Sequence, residues 1–520
     1  MKVTIEPWTP FHESLCWMLS DAYYARRGLD AWRDGEVPHD ATTNYGMATQ
    51  HARFLVEHLS ANAPAEGELW ILEVGSGSGA FAANLLRALA TGCGDRGRAL
   101  YERVRYVTSD YSEKSVSEAA ASNALRGHVA DGRVIPALLD LRLGGAPRTL
   151  DDTPIEARFD AVFANYVCCV IPQRSLQRRG NTWHEQLVQV VADLVPDHPA
   201  LDNPLEAIFA DPTRSNLLES LELQLAWRER DLRQLLGSAL HQRVVEHLLA
   251  DMQEATLGYP LGFIDFLLQL TERLQPHAIV SVMDYGKVER SELAGLIDRR
   301  PEVYGNSMAH ETPFCVFEAF GDVAEWGALR TRDPLRSVQT AVLSPRPQVA
   351  EGLRESFERH HVMCRLGDDL IDFYDTGSRA AAEDDHDRAI RFFRRCVDLD
   401  PYRADYRYQL AEAAIDGGYY DLAIKAAEVG MALDDGEEHD FEFILGRAFC
   451  LGDDFSEAIA WYERSLRRDE HWVTLTNLST LYEHAGRFDE ARRGYLRALE
   501  LKPDYEKARR RLARLSSRIH

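Results

Sequence analysis

The stretch Leu69-Trp-Ile-Leu-Glu73-Val-Gly75-Ser-Gly77-Ser-Gly79 governs the reading of the first two thirds of this chain. A short apolar, strand-like run ends at Val74, glycines follow at alternate positions, and AFAANLLRALA then repeats apolar residues at helical spacing. Such a strand–turn–helix unit turns the backbone tightly and leaves bare main chain at a helix N-terminus, where a ligand can lie. Glycine spacing alone is ambiguous. Gly75, Gly77 and Ala80 also satisfy the dinucleotide pattern G-x-G-x-x-G/A, and a glycine-rich structural turn is a third reading. Glu73 weighs between them, because a carboxylate two residues before the first glycine suits an ammonium group better than a pyrophosphate.

Working outward, Val104–Ser109, Val134–Leu139 and Phe159–Ala164 read as further strands, each followed by a polar or acidic residue. Helical patterns separate them, which predicts an α/β architecture with a mainly parallel sheet. Ala278–Met283 (AIVSVM) reads as a fifth strand, and PFCVFEAF (313–320) and SVQTAVL (337–343) as closing strands. Thr91–Arg103 reads as a turn-rich connection. Residues 182–275 read as a helical insertion, 1–60 as a helical lead-in, and 346–369 as a linker helix following a domain at 61–345.

S-adenosylmethionine carries an ammonium group and no phosphate. The whole E-x-G-x-G-x-G string resembles motif I of class I S-adenosylmethionine-dependent methyltransferases, a resemblance that covers about residues 60–345 and implies a Rossmann-like fold. It places Glu73, Gly75, Ser76, Gly77 and Gly79 along the cofactor. Asp110, at the end of the second strand and followed by Tyr111, is then the candidate to chelate the ribose hydroxyls. Leu139 and Asp140, at the third strand end, are the candidates for the adenine; a helix cap is the other reading of Asp140. Asn165 ends the fourth strand beside the same ligand.

A narrower resemblance is to the MidA-type family, which includes the mitochondrial complex I assembly factor methyltransferases. That family carries N-E-x-x-D-A-L-P after the fourth strand, a helical insertion, and D-Y-G after the fifth. Asn165, Pro172 and Asp284-Tyr285-Gly286 match, and Tyr23-Tyr24 with Asp34-Gly35-Glu36-Val37 echo its N-terminal region. The family methylates a protein arginine. Here Tyr166 and Cys169 replace its two acids, and a guanidinium, which keeps its proton, needs carboxylates to bind it. Asp284 and Glu311 are candidates to restore that charge. The catalytic candidates are therefore Asp284, Tyr285, Asn165, Tyr166 and the pair His310-Glu311, read as a base and its orienting acid; a cap on the turn into Tyr285-Gly286 is the other reading of Asp284, and a surface loop pair that of His310-Glu311. Cys168 and Cys169 read as small buried hydrophobes rather than a reactive pair.

From about residue 383 the texture becomes periodic. Ala389, Ala423, Ala458 and Ala491 recur with Phe393, Ala427, Tyr462 and Tyr495 four residues on, a plan that resembles the tetratricopeptide repeat. Residues 370–520 thus read as an all-α solenoid of about four repeats ending in a capping helix. With 83 acidic residues against 59 basic ones, the formal charge of -24 argues against nucleic-acid binding. The eight scattered cysteines show no metal-ligand spacing, so reduced thiols and no metal are expected. The N-terminal MKVTIEPWTP lacks the features of a signal peptide, and no apolar run is long enough to span a bilayer, which together predict a cytoplasmic protein with no membrane partner.

The leading expectation is a methyltransferase acting on a protein or peptide substrate held by the repeats. A small-molecule acceptor, a non-catalytic assembly scaffold, and repeats that serve a homodimer are its rivals. The basic excess from Arg487 onward reads either as a solvated face or as a site for an acidic segment.

Overall fold

The computed structural model describes residues 2–33, 40–193, 217–336, 338–434 and 439–519, in two compact units, Met1–Asp368 and Asp369–His520. In chain order the strands of the first unit are β1 (Lys2–Pro10), β2 (Leu69–Val74), β3 (Val104–Asp110), β4 (Val134–Leu138), β5 (Arg148–Thr149), β6 (Phe159–Asn165), β7 (Arg174–Arg179) and β8 (Thr182–Asp193). They continue as β9 (Leu221–Arg230), β10 (Glu254–Tyr259), β11 (Leu274–Asp284), β12 (Glu302–Tyr304), β13 (Ser307–Ala309), β14 (Gly327–Arg330) and β15 (Gln339–Ser344).

The main sheet has the order β14-β15-β11-β6-β2-β3-β4-β5. Strands β4, β3, β2, β6 and β11 are parallel, and β15 closes antiparallel on β11. The chain leaves β2 outward through β3 and β4, then returns to β2's other side with β6. That reversal at β2 opens a crevice at the C-terminal strand ends, the usual ligand position in open α/β sheets. Every residue of β6 is buried and β2 is nearly so, because helices cover both faces; such strands read as continuous apolar runs. Ile71, Tyr106 and Phe163 pack on one face against Phe81, Leu85 and Phe54. Leu72, Val107 and Val162 pack on the other with Phe263, Phe314 and Phe317.

Several sequence expectations are corrected. Residues 182–275 are not a helical insertion, because β8 and β9 pair along their length, β8 also pairs β1 and β7, and β10 pairs β7. In β9, Leu221, Leu223 and Leu225 alternate with Glu222 and Gln224, a period of two masked by the helix propensity of Leu, Glu and Gln. The lead-in is not wholly helical, since Lys2–Pro10 supplies β1. Residues 313–320 form not a strand but the start of the helix Cys315–Ala324, with Phe314, Phe317 and Phe320 buried at a spacing of three. The turn-rich 91–103 contains the helix Gly94–Arg103. Residues 346–368 are not a free linker either. Phe357 packs against Phe54 at 6.3 Å, Gln50 donates to the His360 carbonyl at 3.0 Å, and Glu57 accepts from Ser356 at 2.6 Å. Asp34 to Val37 lie outside the described residues.

In the second unit, helix pairs follow one another. Leu366–Ala382 pairs with His386–Leu399, Ala404–Asp416 with Tyr420–Leu433, Phe441–Leu451 with Phe455–Arg468, and Trp472–His484 with Phe488–Leu501; Glu506–Ile519 ends the array. The recurrent Ala389, Ala423, Ala458 and Ala491 are wholly buried, and Phe393, Tyr462 and Tyr495 fill the space beside them. Much of the basic excess near the C-terminus is answered within the unit. Arg497 pairs with Glu470 at 2.6 Å and Glu500 at 2.9 Å, Arg514 reaches Glu483 at 3.0 Å, and Arg510 reaches Glu506 at 2.9 Å.

A Cβ at Gly446 would stand 2.6 Å from the Tyr462 ring. Gly446→Val is expected to destabilise the second unit by about 1–3 kcal/mol, the usual scale of overpacking. Urea unfolding of residues 369–520, followed by circular dichroism, measures it.

Candidate functional site

At the C-terminal ends of the main sheet lies a cavity of about 410 Å³. Its walls come from the tips of β2, β3, β4 and β6, from Tyr285 after β11, from the β12–β13 hairpin and from the helix Leu15–Arg27. Sequence reasoning placed Glu73, Gly75, Ser76, Gly77, Asp110, Tyr111, Leu139, Asp140, Asn165, Tyr166 and Tyr285 at a site, and the fold brings all of them to this cavity. It does not bring Asp284, His310, Glu311 or Gly79 to the wall.

The glycine turn is built from main chain. Gly75 adopts φ +65°, and a Cβ there would approach Val167 to 2.8 Å, so the turn requires glycine. The Ser76 amide donates to the Ser109 carbonyl at 2.8 Å, and the Ser109 hydroxyl donates to the Glu73 carbonyl at 2.7 Å, tying the tips of β2 and β3 together. Gly79 lies behind the turn as the N-cap of Ala80–Arg87.

Glu73 is 1% exposed and accepts from the Tyr106 hydroxyl at 3.0 Å. Burial pushes its carboxyl up to about 8, the Tyr106 hydrogen bond opposes this, and nearby Asp110 adds to it. Asp110 accepts from the Ser112 amide at 3.0 Å and the Gly77 amide at 3.4 Å; burial still lifts it to about 6. Two buried carboxylates facing one cavity form an environment that a cation and hydroxyl donors would relieve. A ligand with an ammonium and a ribose diol meets both demands.

Asp140 has an additional partner that the sequence did not reveal. Arg142 donates to both of its oxygens, at 2.9 and 2.8 Å, and also reaches Asp21 of the helix Leu15–Arg27. Burial raises the Asp140 carboxyl, but these hydrogen bonds outweigh it and hold it below the usual range. The Arg142 guanidinium stands 5.4 Å from the Tyr111 ring centre, and the Tyr111 hydroxyl donates to the Asp21 carbonyl at 3.2 Å. The helix thus roofs the cavity, with Ser20, Asp21 and Tyr24 on its wall. Sequence reasoning missed Arg142, Asp21 and Ser20, since no motif marks them; Tyr24 appeared only in the echo of the family's N-terminal region.

On the far side, Asn165 is 7% exposed, and neither its amide nitrogen nor its amide oxygen has a hydrogen-bond partner among the described residues. The same is true of the Tyr285 hydroxyl. Tyr166 takes φ +51°, outside the usual range for its residue type, and its ring lies 6.3 Å from that of Tyr285 at a steep angle.

Asp284 is fully buried behind this wall. Its carboxylate accepts from the amides of Cys169 and Tyr285, each at 2.9 Å, and from the Thr312 hydroxyl at 3.1 Å. Burial raises it to about 7 against these bonds. His310 and Glu311 do not form the expected pair. His310 is enclosed by Phe11 and Trp17, at 5.4 and 5.5 Å, and burial with Arg299 nearby holds its imidazole well below its usual range. Glu311 is half exposed and faces Lys287 at 3.9 Å. Cys168 and Cys169 are buried, and burial raises both thiols well above their usual range.

A family model described as "Putative S-adenosyl-L-methionine-dependent methyltransferase" matches residues 51–317, more than half of the chain. The chain belongs to this methyltransferase family. Its cofactor is S-adenosylmethionine. A tetratricopeptide-repeat model matches residues 474–509 of the second unit. None of the curated proteins matches the chain.

Among solved structures, this chain is similar to a Burkholderia thailandensis protein bound to S-adenosyl-homocysteine. The two are 16% identical with a TM-score of 0.38, covering 65% of this chain and 88% of the other. It is also similar to MamA from Desulfovibrio magneticus RS-1 (15% identity, TM-score 0.28, covering 30% and 87%). A further match is YrrB, a repeat protein with an unusual peptide-binding site (15% identity, TM-score 0.25, covering 31% and 80%). No helix among the described residues is long and apolar enough to cross a membrane.

Two outcomes are expected. Asp110→Ala weakens S-adenosyl-homocysteine binding by about 1–3 kcal/mol, the scale of hydrogen bonds to a charged group; calorimetry on the folded variant measures it. Binding of an ammonium and a diol favours the ionised forms of Glu73 and Asp110, so protons are released on binding. Affinity therefore rises with pH through about 6 and again toward about 8. Calorimetry in buffers of differing ionisation enthalpy counts the protons.

Proposed function

We propose that this chain is an active methyltransferase whose acceptor is presented on a protein or peptide bound by the tetratricopeptide unit. The observation that carries activity, against a vestigial scaffold, is the cavity of about 410 Å³, where the buried Glu73 and Asp110 share one wall with Asn165, Tyr166 and Tyr285 opposite. Burying two carboxylates side by side is costly without a cation or hydroxyl donors to meet them, and folding alone gives no reason to keep such a pair. A stacked-repeat surface suits an extended polypeptide, which supports the acceptor class.

When bound, the cofactor supplies an activated methyl on its sulfonium. The chain has to align donor with acceptor and exclude water. In this reading Glu73 holds the ammonium, the Gly75–Gly77 main chain lies along the cofactor, and Asp110 takes the ribose hydroxyls. Leu139 and Asp140 border the adenine. Asn165 and Tyr285 orient the acceptor, and Tyr166 closes the pocket over it. Asp284 is a positioning residue, because its three protein hydrogen bonds set the places of Cys169 and Tyr285.

Incubation of a cell lysate with the full chain and methyl-labelled cofactor is expected to label macromolecules. A chain ending at Asp368 should bind S-adenosyl-homocysteine equally well yet label them at least tenfold less. Label confined to small molecules would remove the polypeptide acceptor, and binding without any transfer would return the scaffold reading.

A further inference from the structure

The cavity divides by strand. Carboxylates lie at the tips of β2, β3 and β4, and the side formed by the β6 and β11 tips and the β12–β13 hairpin is different in kind. There the wall is made by Asn165, Tyr166, Cys169, Val170, Ile171 and Tyr285, with Tyr304 at its rim. Among the described residues no carboxylate lines that side. The nearby acids are already engaged elsewhere. Asp284 sits behind the wall with three protein donors, Glu311 faces Lys287 at 3.9 Å, and Glu302 accepts from the Tyr304 hydroxyl. On the roof, Asp21 is bound by Arg142.

What this side offers is neutral hydrogen bonding. Asn165, Tyr166 and Tyr285 bring an amide and two phenols, groups that can donate and accept and carry no charge near neutral pH. A guanidinium or ammonium placed here would shed its water without meeting a counter-charge, which is costly at a buried site. A hydroxyl or a carboxamide both donates and accepts, needs no counter-charge, and so matches a wall of uncharged polar and apolar groups.

Resting on the reading that the cavity transfers methyl groups, we propose that the acceptor is uncharged, a hydroxyl or carboxamide, and that the site is closed to arginine and lysine side chains. A lone pair on the acceptor oxygen or nitrogen attacks the methyl carbon. The carbon–sulfur bond breaks with its electrons going to sulfur, which becomes the neutral thioether of S-adenosyl-homocysteine. The acceptor's proton leaves to water at the cavity mouth.

The test does not require the natural acceptor. Sinefungin carries an ammonium where the cofactor carries its methylated sulfur, so it reports the charge facing the departing methyl. For the full chain at pH 7.5, calorimetry is expected to find sinefungin no more than threefold tighter than S-adenosyl-homocysteine. Asn165→Asp, which puts a carboxylate into the wall, should shift that ratio at least tenfold toward sinefungin; Val170→Glu serves the same purpose if the first variant does not fold. A wild-type ratio of tenfold or more would overturn the neutral acceptor while leaving the methyltransferase intact. Folded variants that do not shift the ratio would overturn the assignment of this side to the acceptor. Failure of S-adenosyl-homocysteine itself to bind would instead count against the methyltransferase reading.

Discussion

Asp284 has no contact with solvent, and the far wall of the cavity is hung on its carboxylate. One oxygen accepts from the Cys169 amide and the Thr312 hydroxyl, the other from the Tyr285 amide. These bonds join the loop after β6, the turn after β11 and the segment leading to the helix Cys315–Ala324. The turn is tight for the same reason: a Cβ at Gly286 would lie 2.2 Å from the Thr312 carbonyl oxygen, and Gly286 takes φ +145°. Tyr166, whose amide donates to the Met283 carbonyl at 2.8 Å, is fixed against this frame. Buried carboxylates satisfied by several protein donors order whatever carries those donors.

The parallel core was legible because its strands are buried on both faces and follow the glycine turn at βα spacing. Leu69–Val74 was located to the residue, and Asp110 and Asn165 fall at the strand tips where chain order put them. The repeats were legible because small residues recur where helices must approach closely. The antiparallel sheet was not. Its strands are amphipathic, rich in Leu, Gln and Glu, and their pairing joins Lys2–Pro10 to Thr182–Asp193, a distance in sequence that no local pattern encodes.

Within the site, the donor half was readable and the acceptor half was not. Glu73, the glycines and Asp110 belong to a local motif whose geometry is set by one turn. His310 looked reactive beside Glu311, yet consecutive residues in an extended segment point apart, and they end in an aromatic enclosure and in solvent respectively. Asp284 read either as an acid beside the acceptor or as a cap on the turn into Tyr285-Gly286; its full burial depends on Thr312, from a segment 28 residues away.

The roof helix Leu15–Arg27 is fastened differently at its two ends. Near its start, Leu15, Cys16, Trp17 and Leu19 are sunk in an apolar cluster with Phe11 and Met308. Toward its finish Tyr23 and Tyr24 are buried as well, with Tyr24 bonded to Ser307 at 2.7 Å, and partly exposed polar contacts add to them: Arg142 to Asp21, and Lys114 to the carbonyls of Arg26 and Arg27. Salt screens the charged pair and leaves the oily contact intact. Ionic strength therefore slackens one fastening of the helix over the cavity and leaves the buried ones at both ends in place.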